Sequence, residues 1–93
     1  MPEKILVVDD EDIIRESLSY VLKNEGYIVE EATNGKEAYD KVVSNFYDLV
    51  ITDIEMPQMK GIELLERISA LTNQTLVMMI TAYGSLDTAI KAL

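Results

Sequence analysis

Four short apolar runs constrain this chain more than anything else in it: Ile5-Leu6-Val7-Val8, Tyr27-Ile28-Val29, Leu49-Val50-Ile51 and Leu76-Val77-Met78-Met79-Ile80. Successive strand residues point to opposite faces, so a run that is apolar throughout suits a strand buried on both sides. Between the runs, apolar residues recur at helical spacing. They are Ile13, Ile14, Leu18, Val21 and Leu22, then Ala38, Val42 and Val43, then Ile62, Leu64, Leu65, Ile68 and Leu71. A fourth helix is expected from Ser85, its candidate cap, through Leu86, Ala89 and Ile90. The predicted order is β-α-β-α-β-α-β-α. Buried strands alternating with amphipathic helices make an α/β fold, a doubly wound parallel sheet.

Local signals support the boundaries. Gly26 suits the left-handed residue that ends a helix. Asn34 with Glu37 three residues on is a capping-box pattern. Glu30 and Glu31 make the second strand more polar than the others, which suggests an edge with a solvated acidic face. With 93 residues and no linker or low-complexity tract, the chain is one domain or part of one.

Composition removes several function classes. The net charge is −9, so the surface repels phosphate backbones and direct nucleic-acid contact is not expected. There is no Cys and no His, which excludes disulfides, Cys zinc sites and Ser–His–Asp catalysis. No run approaches the roughly 18 apolar residues of a membrane span, and no signal peptide is expected before the first strand. A cytoplasmic location with no membrane partner is the expectation.

Ligands of open α/β sheets bind beyond the carboxyl ends of the strands. Asp9, Asp10, Glu11 and Asp12 follow the first strand, Asp53 and Glu55 end the third, and Thr81, Ala82, Tyr83 and Gly84 follow the fourth. If the first and third strands are neighbours, Asp9, Asp10 and Asp53 converge. Three carboxylates together repel unless one is protonated or a cation joins them. Mg²⁺, a hard ion bound through oxygens, fits best. Carboxylates, a cation and nearby donors suit phosphoryl transfer, with Asp53 a candidate nucleophile. Each residue also has a plainer explanation. An Asp pair before a helix serves as a cap, Asp53 as a turn residue, Thr81 as a strand end, and Pro57 and Gly61 as loop geometry.

Taken together, these motifs resemble the receiver domain of two-component response regulators. The resemblance rests on Ile5-Leu6-Val7-Val8-Asp9-Asp10, on Asp53 after Asp48-Leu49-Val50-Ile51-Thr52, on Met56-Pro57 with Gly61, on Thr81-Ala82, and on Asn34-Gly35-Lys36-Glu37-Ala38. It covers Lys4 to Leu93 and implies a flavodoxin-like receiver fold with strand order 2-1-3-4. It implies that Asp53 accepts a phosphoryl group from a histidine kinase or phosphotransfer protein. It also implies that Asp9, Asp10, Asp53 and the main-chain carbonyl of Glu55 hold Mg²⁺, Asp9 mainly through water. Thr81 would be the switch hydroxyl and Ala82 a phosphoryl-binding amide, while Pro57 and Gly61 shape the loop. Such a domain is a signalling switch, not an enzyme acting on a separate substrate. Thr81-Ala82-Tyr83-Gly84-Ser85, leading into Thr88-Ala89-Ile90-Lys91-Ala92, is closest to the nitrogen-regulator type, whose output is transcriptional.

Receivers of this family also carry a fifth strand and helix, with a Lys that contacts the phosphoryl oxygens. No residue matches that Lys, and Lys91 falls in the expected fourth helix. Residues 1–93 are therefore expected to be a receiver lacking its C-terminal strand and helix. An alternative expectation is a fragment without signalling competence that self-assembles through an open edge at Thr75 to Ile80, as a homodimer formed by strand or helix exchange. An Asp-nucleophile phosphatase is disfavoured, since Asp53-Ile54-Glu55 supplies no Asp-x-Asp pair. A dinucleotide site is disfavoured because no Gly-x-Gly-x-x-Gly follows a strand.

Overall fold

The computed structural model describes residues 2–71 and 74–80. The elements run β1 (Lys4–Val8), α1 (Asp12–Asn24), β2 (Ile28–Ala32), α2 (Gly35–Ser44), β3 (Leu49–Asp53), α3 (Gly61–Leu71) and β4 (Leu76–Ile80). The four strands form one parallel sheet in the order β2-β1-β3-β4. The expected fourth helix, with Thr81, Ala82 and Ser85, lies outside the described residues.

The apolar runs divide their side chains between two layers, as strand pleating requires. Leu6, Val8 and Val50 point to one face, where they pack with Ala38 and Val42 of α2 and with Leu64 and Ile68 of α3. Ile5, Val7 and Ile51 point to the other, against Leu18 and Leu22 of α1. Tyr47 is fully buried in the first layer. Its hydroxyl donates to Glu30 at 2.6 Å, and its carbonyl accepts the Thr75 hydroxyl at 2.8 Å. Lys4 adds an ion pair to Glu30 at 3.2 Å and lies over the Tyr47 ring. The Tyr47 hydrogen bond holds the Glu30 carboxyl below its ordinary range.

Two expectations need correction. Glu30 and Glu31 are not merely solvated, because Glu30 joins Tyr47 and Lys4 while Glu31 pairs with Arg15 at 3.0 Å. In α1 the residues turned furthest inward are Arg15 and Ser19, while Ile13 and Val21 are exposed. The helix rotates to bring the Arg15 guanidinium over the β1–α1 loop and β2, which leaves Ile14, Leu18 and Leu22 half-buried. The capping box is present with one change. Asn34 accepts the Glu37 amide at 2.8 Å, but Glu37 reaches back to the Thr33 amide at 2.6 Å rather than to Asn34. Gly26 ends α1 with φ of 96°, as expected.

The loop after β3 carries a feature with no sequence signal. Gln58 has φ of 72°, and the Met59 amide donates to the Pro57 carbonyl at 2.8 Å, closing a three-residue turn. A side chain in this region costs about 1–3 kcal/mol. Gln58→Gly removes that strain and adds about 0.5–1 kcal/mol of unfolded-state entropy cost. We expect a net stabilisation of roughly 1 kcal/mol, measured as a rise in the urea midpoint at unchanged slope.

Candidate functional site

Parallel pairing of β1 with β3 builds the site. Val8 lies opposite Thr52 in the register, so Asp9 and Asp53 emerge one residue further on, side by side at the carboxyl end of the sheet. Asp10 follows. One carboxylate oxygen from each of Asp9, Asp10 and Asp53 lies within 4.8 Å of the others. Asp9 and Asp53 are buried and Asp10 is exposed, so the cluster has two enclosed acids and one open side.

Backbone donors orient the two buried acids. Asp9 Oδ1 accepts the Glu11 amide at 2.9 Å, and Asp53 Oδ1 accepts the Glu55 amide at 3.2 Å. Neither acid caps a helix. The N-cap of α1 is Glu11, and its side chain makes no capping bond. Among the described residues no Lys or Arg pairs with Asp9, Asp10 or Asp53. Arg15 pairs with Asp12 and Glu31, and Lys60 sits 3.9 Å from Glu55. Burial, reinforced by the neighbouring carboxylates, holds the Asp9 and Asp53 carboxyls above their ordinary range, although the backbone hydrogen bonds pull the other way. Among the described residues two acids are thus enclosed with no counter-charge that would favour their ionised forms. Hard oxygen donors with no basic partner fit a divalent cation such as Mg²⁺, which binds one or two carboxylates and keeps several waters.

The loop shapes the remaining wall. The Gly61 amide donates to the Ile54 carbonyl at 2.9 Å, and a Cβ on Gly61 would collide with the Asp53 carbonyl. Glycine is required here by close approach. Pro57 is exposed and supplies the carbonyl of the tight turn, while Met56 and Met59 fold beneath it into the core. The Glu55 carboxylate is exposed and stands outside the cluster, turned toward Lys60. Its amide nevertheless lies against Asp53. Thr52 is fully buried and donates to the Asp53 carbonyl at 3.1 Å. Thr81 and Ala82 lie outside the described residues. Apolar periodicity along α1 carries no sign of Arg15, although its position four residues before Ser19 marks the inner phase of the helix.

Two consequences are measurable. The elevated Asp9 and Asp53 carboxyls stabilise the metal-free fold only while protonated. That contribution is complete below the unfolded value of 3.8 and is lost as pH rises through the folded values. Glu30 and Glu37, whose carboxyls are held low, act in the opposite sense, so a difference measurement isolates the site. In EDTA, the melting temperature of Asp53→Asn relative to wild type should increase from about pH 3.5 to about pH 7. Saturating Mg²⁺ should reverse the order, adding about 2.7 kcal/mol to wild type at a hundredfold excess over Kd. Gly61→Ala should destabilise by roughly 1–3 kcal/mol through overpacking and weaken Mg²⁺ binding with it, checked by denaturant melts and metal titration.

Comparison with known proteins agrees with this fold. The family model for the response regulator receiver domain matches residues 5–93. Sporulation initiation phosphotransferase F of Bacillus subtilis is 45% identical over 87 residues, spanning 94% of this chain and 70% of that protein. The response regulator protein PilR of Pseudomonas aeruginosa is 45% identical over 91 residues, 98% of this chain. ZraR of Klebsiella oxytoca, a transcriptional regulatory protein, is 44% identical over 89 residues. The chain spans about a fifth of the length of PilR and of ZraR, both of the nitrogen-regulator type. Among solved structures, the response regulator TrrA of Thermotoga maritima, in complex with Mg²⁺ and BeF, superposes with a TM-score of 0.84 at 43% identity. That match covers 97% of this chain and 80% of TrrA. No helix among the described residues is long and apolar enough to cross a membrane. The chain belongs to the response regulator receiver domain family of two-component signalling proteins.

Proposed function

We propose that Asp53 is the phosphoacceptor of this receiver and that a histidine kinase or phosphotransfer protein is its donor. The observation that carries this reading is the convergence of Asp9, Asp10 and Asp53 at the carboxyl end of the sheet, with no basic side chain paired to them among the described residues. An Asp53 carboxylate oxygen attacks the phosphorus of a phosphohistidine. The N–P bond breaks, its electron pair returns to the imidazole, and an aspartyl phosphate forms. The Glu55 amide holds the other chemistry-bearing edge of Asp53 in place through Oδ1. The exposed side of Asp10 leaves a path for the donor.

Asp9, Asp10, Asp53 and the Glu55 carbonyl are the residues that would hold Mg²⁺, which neutralises phosphoryl charge when bound. Asp9, already engaged by the Glu11 amide, suits a ligand that acts through water. Thr81 and Ala82 would receive the phosphoryl oxygens and carry the switch. The added charge of about −1.5 to −2 near neutral pH would bias the surface they belong to. Residues 1–93 then act as the receiver portion of a regulator whose output is transcriptional, a reading supported by the names of PilR and ZraR.

A titration with Mg²⁺ and beryllofluoride, followed by amide NMR, tests this reading. Wild type should show saturable shifts at Asp10, Asp53 and Thr81, and Asp53→Asn should lose the beryllofluoride-dependent set. A response to Mg²⁺ alone, unchanged by beryllofluoride, would overturn the acceptor role while leaving the cation site.

A further inference from the structure

We propose that Arg15 is a positioning residue for the cation site, acting through the Asp9–Asp10 peptide; the proposal rests on reading Asp9, Asp10 and Asp53 as that site. Arg15 is buried on the inner phase of α1. Its guanidinium spreads over three partners from three parts of the chain. Nη1 donates to the Asp9 carbonyl at 2.9 Å, Nη2 to Asp12 Oδ1 at 2.5 Å and Nε to Glu31 Oε1 at 3.0 Å. The last two anchors tie the guanidinium to α1 and to β2. The first is a buried contact with the one peptide group that joins the two acids following β1.

That contact completes the restraint of Asp9. Its amide donates to the Ala32 carbonyl of β2 at 3.2 Å, and its carboxylate accepts the Glu11 amide. With the carbonyl held by Arg15, the amide, the carbonyl and Oδ1 of Asp9 are all engaged. The plane of the Asp9–Asp10 peptide is thereby set, and with it the direction in which the exposed Asp10 leaves the strand. Among the described residues Asp10 pairs with no basic side chain; its carboxyl meets that of Asp9, which this same peptide carries. Asp12 and Glu31 balance the guanidinium charge, so the residue orients the site without opposing a cation. Lysine cannot reproduce this, because a single ammonium lacks the planar fork that serves three acceptors at once.

The sign of the effect separates this role from simple electrostatics. Removing a positive charge near a cation site tightens metal binding if charge alone matters, whereas losing a positioning group weakens it. Arg15→Met and Arg15→Lys would be titrated with Mg²⁺ alone by amide NMR, alongside wild type, with melting temperatures recorded in EDTA. We expect both variants to weaken Mg²⁺ binding about tenfold or more, the scale typical of lost supporting contacts at metal sites. We also expect the Asp10 amide to be among the most displaced in metal-free spectra. Wild-type or tighter affinity in Arg15→Met would overturn the proposal. So would wild-type affinity in Arg15→Lys, which also decides the matter if the Met variant fails to fold. A lowered melting temperature with unchanged affinity in the folded variants would reduce Arg15 to a structural brace and overturn it too. Failure of wild type to bind Mg²⁺ would instead remove the cation reading itself, and this proposal with it.

Discussion

The mutual repulsion of Asp9, Asp10 and Asp53 is the constraint around which the molecule is organised. It arises from strand register, since parallel pairing of β1 and β3 makes Asp9 and Asp53 neighbours. Folding must bring them together even though burial and like charge both disfavour their ionised forms. Among the described residues the answer is directed amides rather than basic side chains. The donors from Glu11 and Glu55 fix where the oxygens point while leaving much of the charge uncompensated. A site of this kind is unfavourable when empty of cation and favourable when charge arrives. A cation bound there would therefore draw on energy that the sheet has already invested in holding the acids close.

The two faces of the sheet contribute unequally. The α2 and α3 side holds most of the fully buried residues, including Leu6, Val50, Leu64 and Ile68. The α1 side has a smaller buried set, Ile5, Val7 and Ile51. It is bordered by an apolar groove of about 520 Å³ between α1 and β4, with Leu18, Leu22, Leu49, Leu76 and Met78 in its lining. On this thinner side, α1 gains much of its attachment from Arg15, whose polar contacts supplement a modest apolar stripe. The same helix end that secures the layer lies over the first acidic turn.

Much of this was legible in the residues. The strands announced themselves because fully apolar runs have few other uses in an acidic chain of this length, and the strand ends located Asp9, Asp10 and Asp53. Gly26 and Asn34 could be placed because each answers a local backbone demand. Other features depended on tertiary partners. Glu30 and Glu31 looked like solvent-facing acids until Tyr47 and Arg15, distant in sequence, were brought beside them. The inner face of α1 is marked by an arginine and a serine, types to which apolar periodicity is blind. Gln58 adopts positive φ with a side chain that carries no preference for it. That position follows from the geometry of the loop between Pro57 and Met59.

At the end of the sheet away from the acids, Tyr47, Glu30, Lys4 and Thr75 form a closed polar knot around a fully buried ring. The Asp48 carboxylate accepts the Lys4 amide there, and the Asp48 carbonyl accepts that of Leu76. The sheet is therefore laced at one margin and electrostatically tense at the other. Such a polarity lets the laced margin specify which strand lies beside which, whatever charge state the acidic margin takes up.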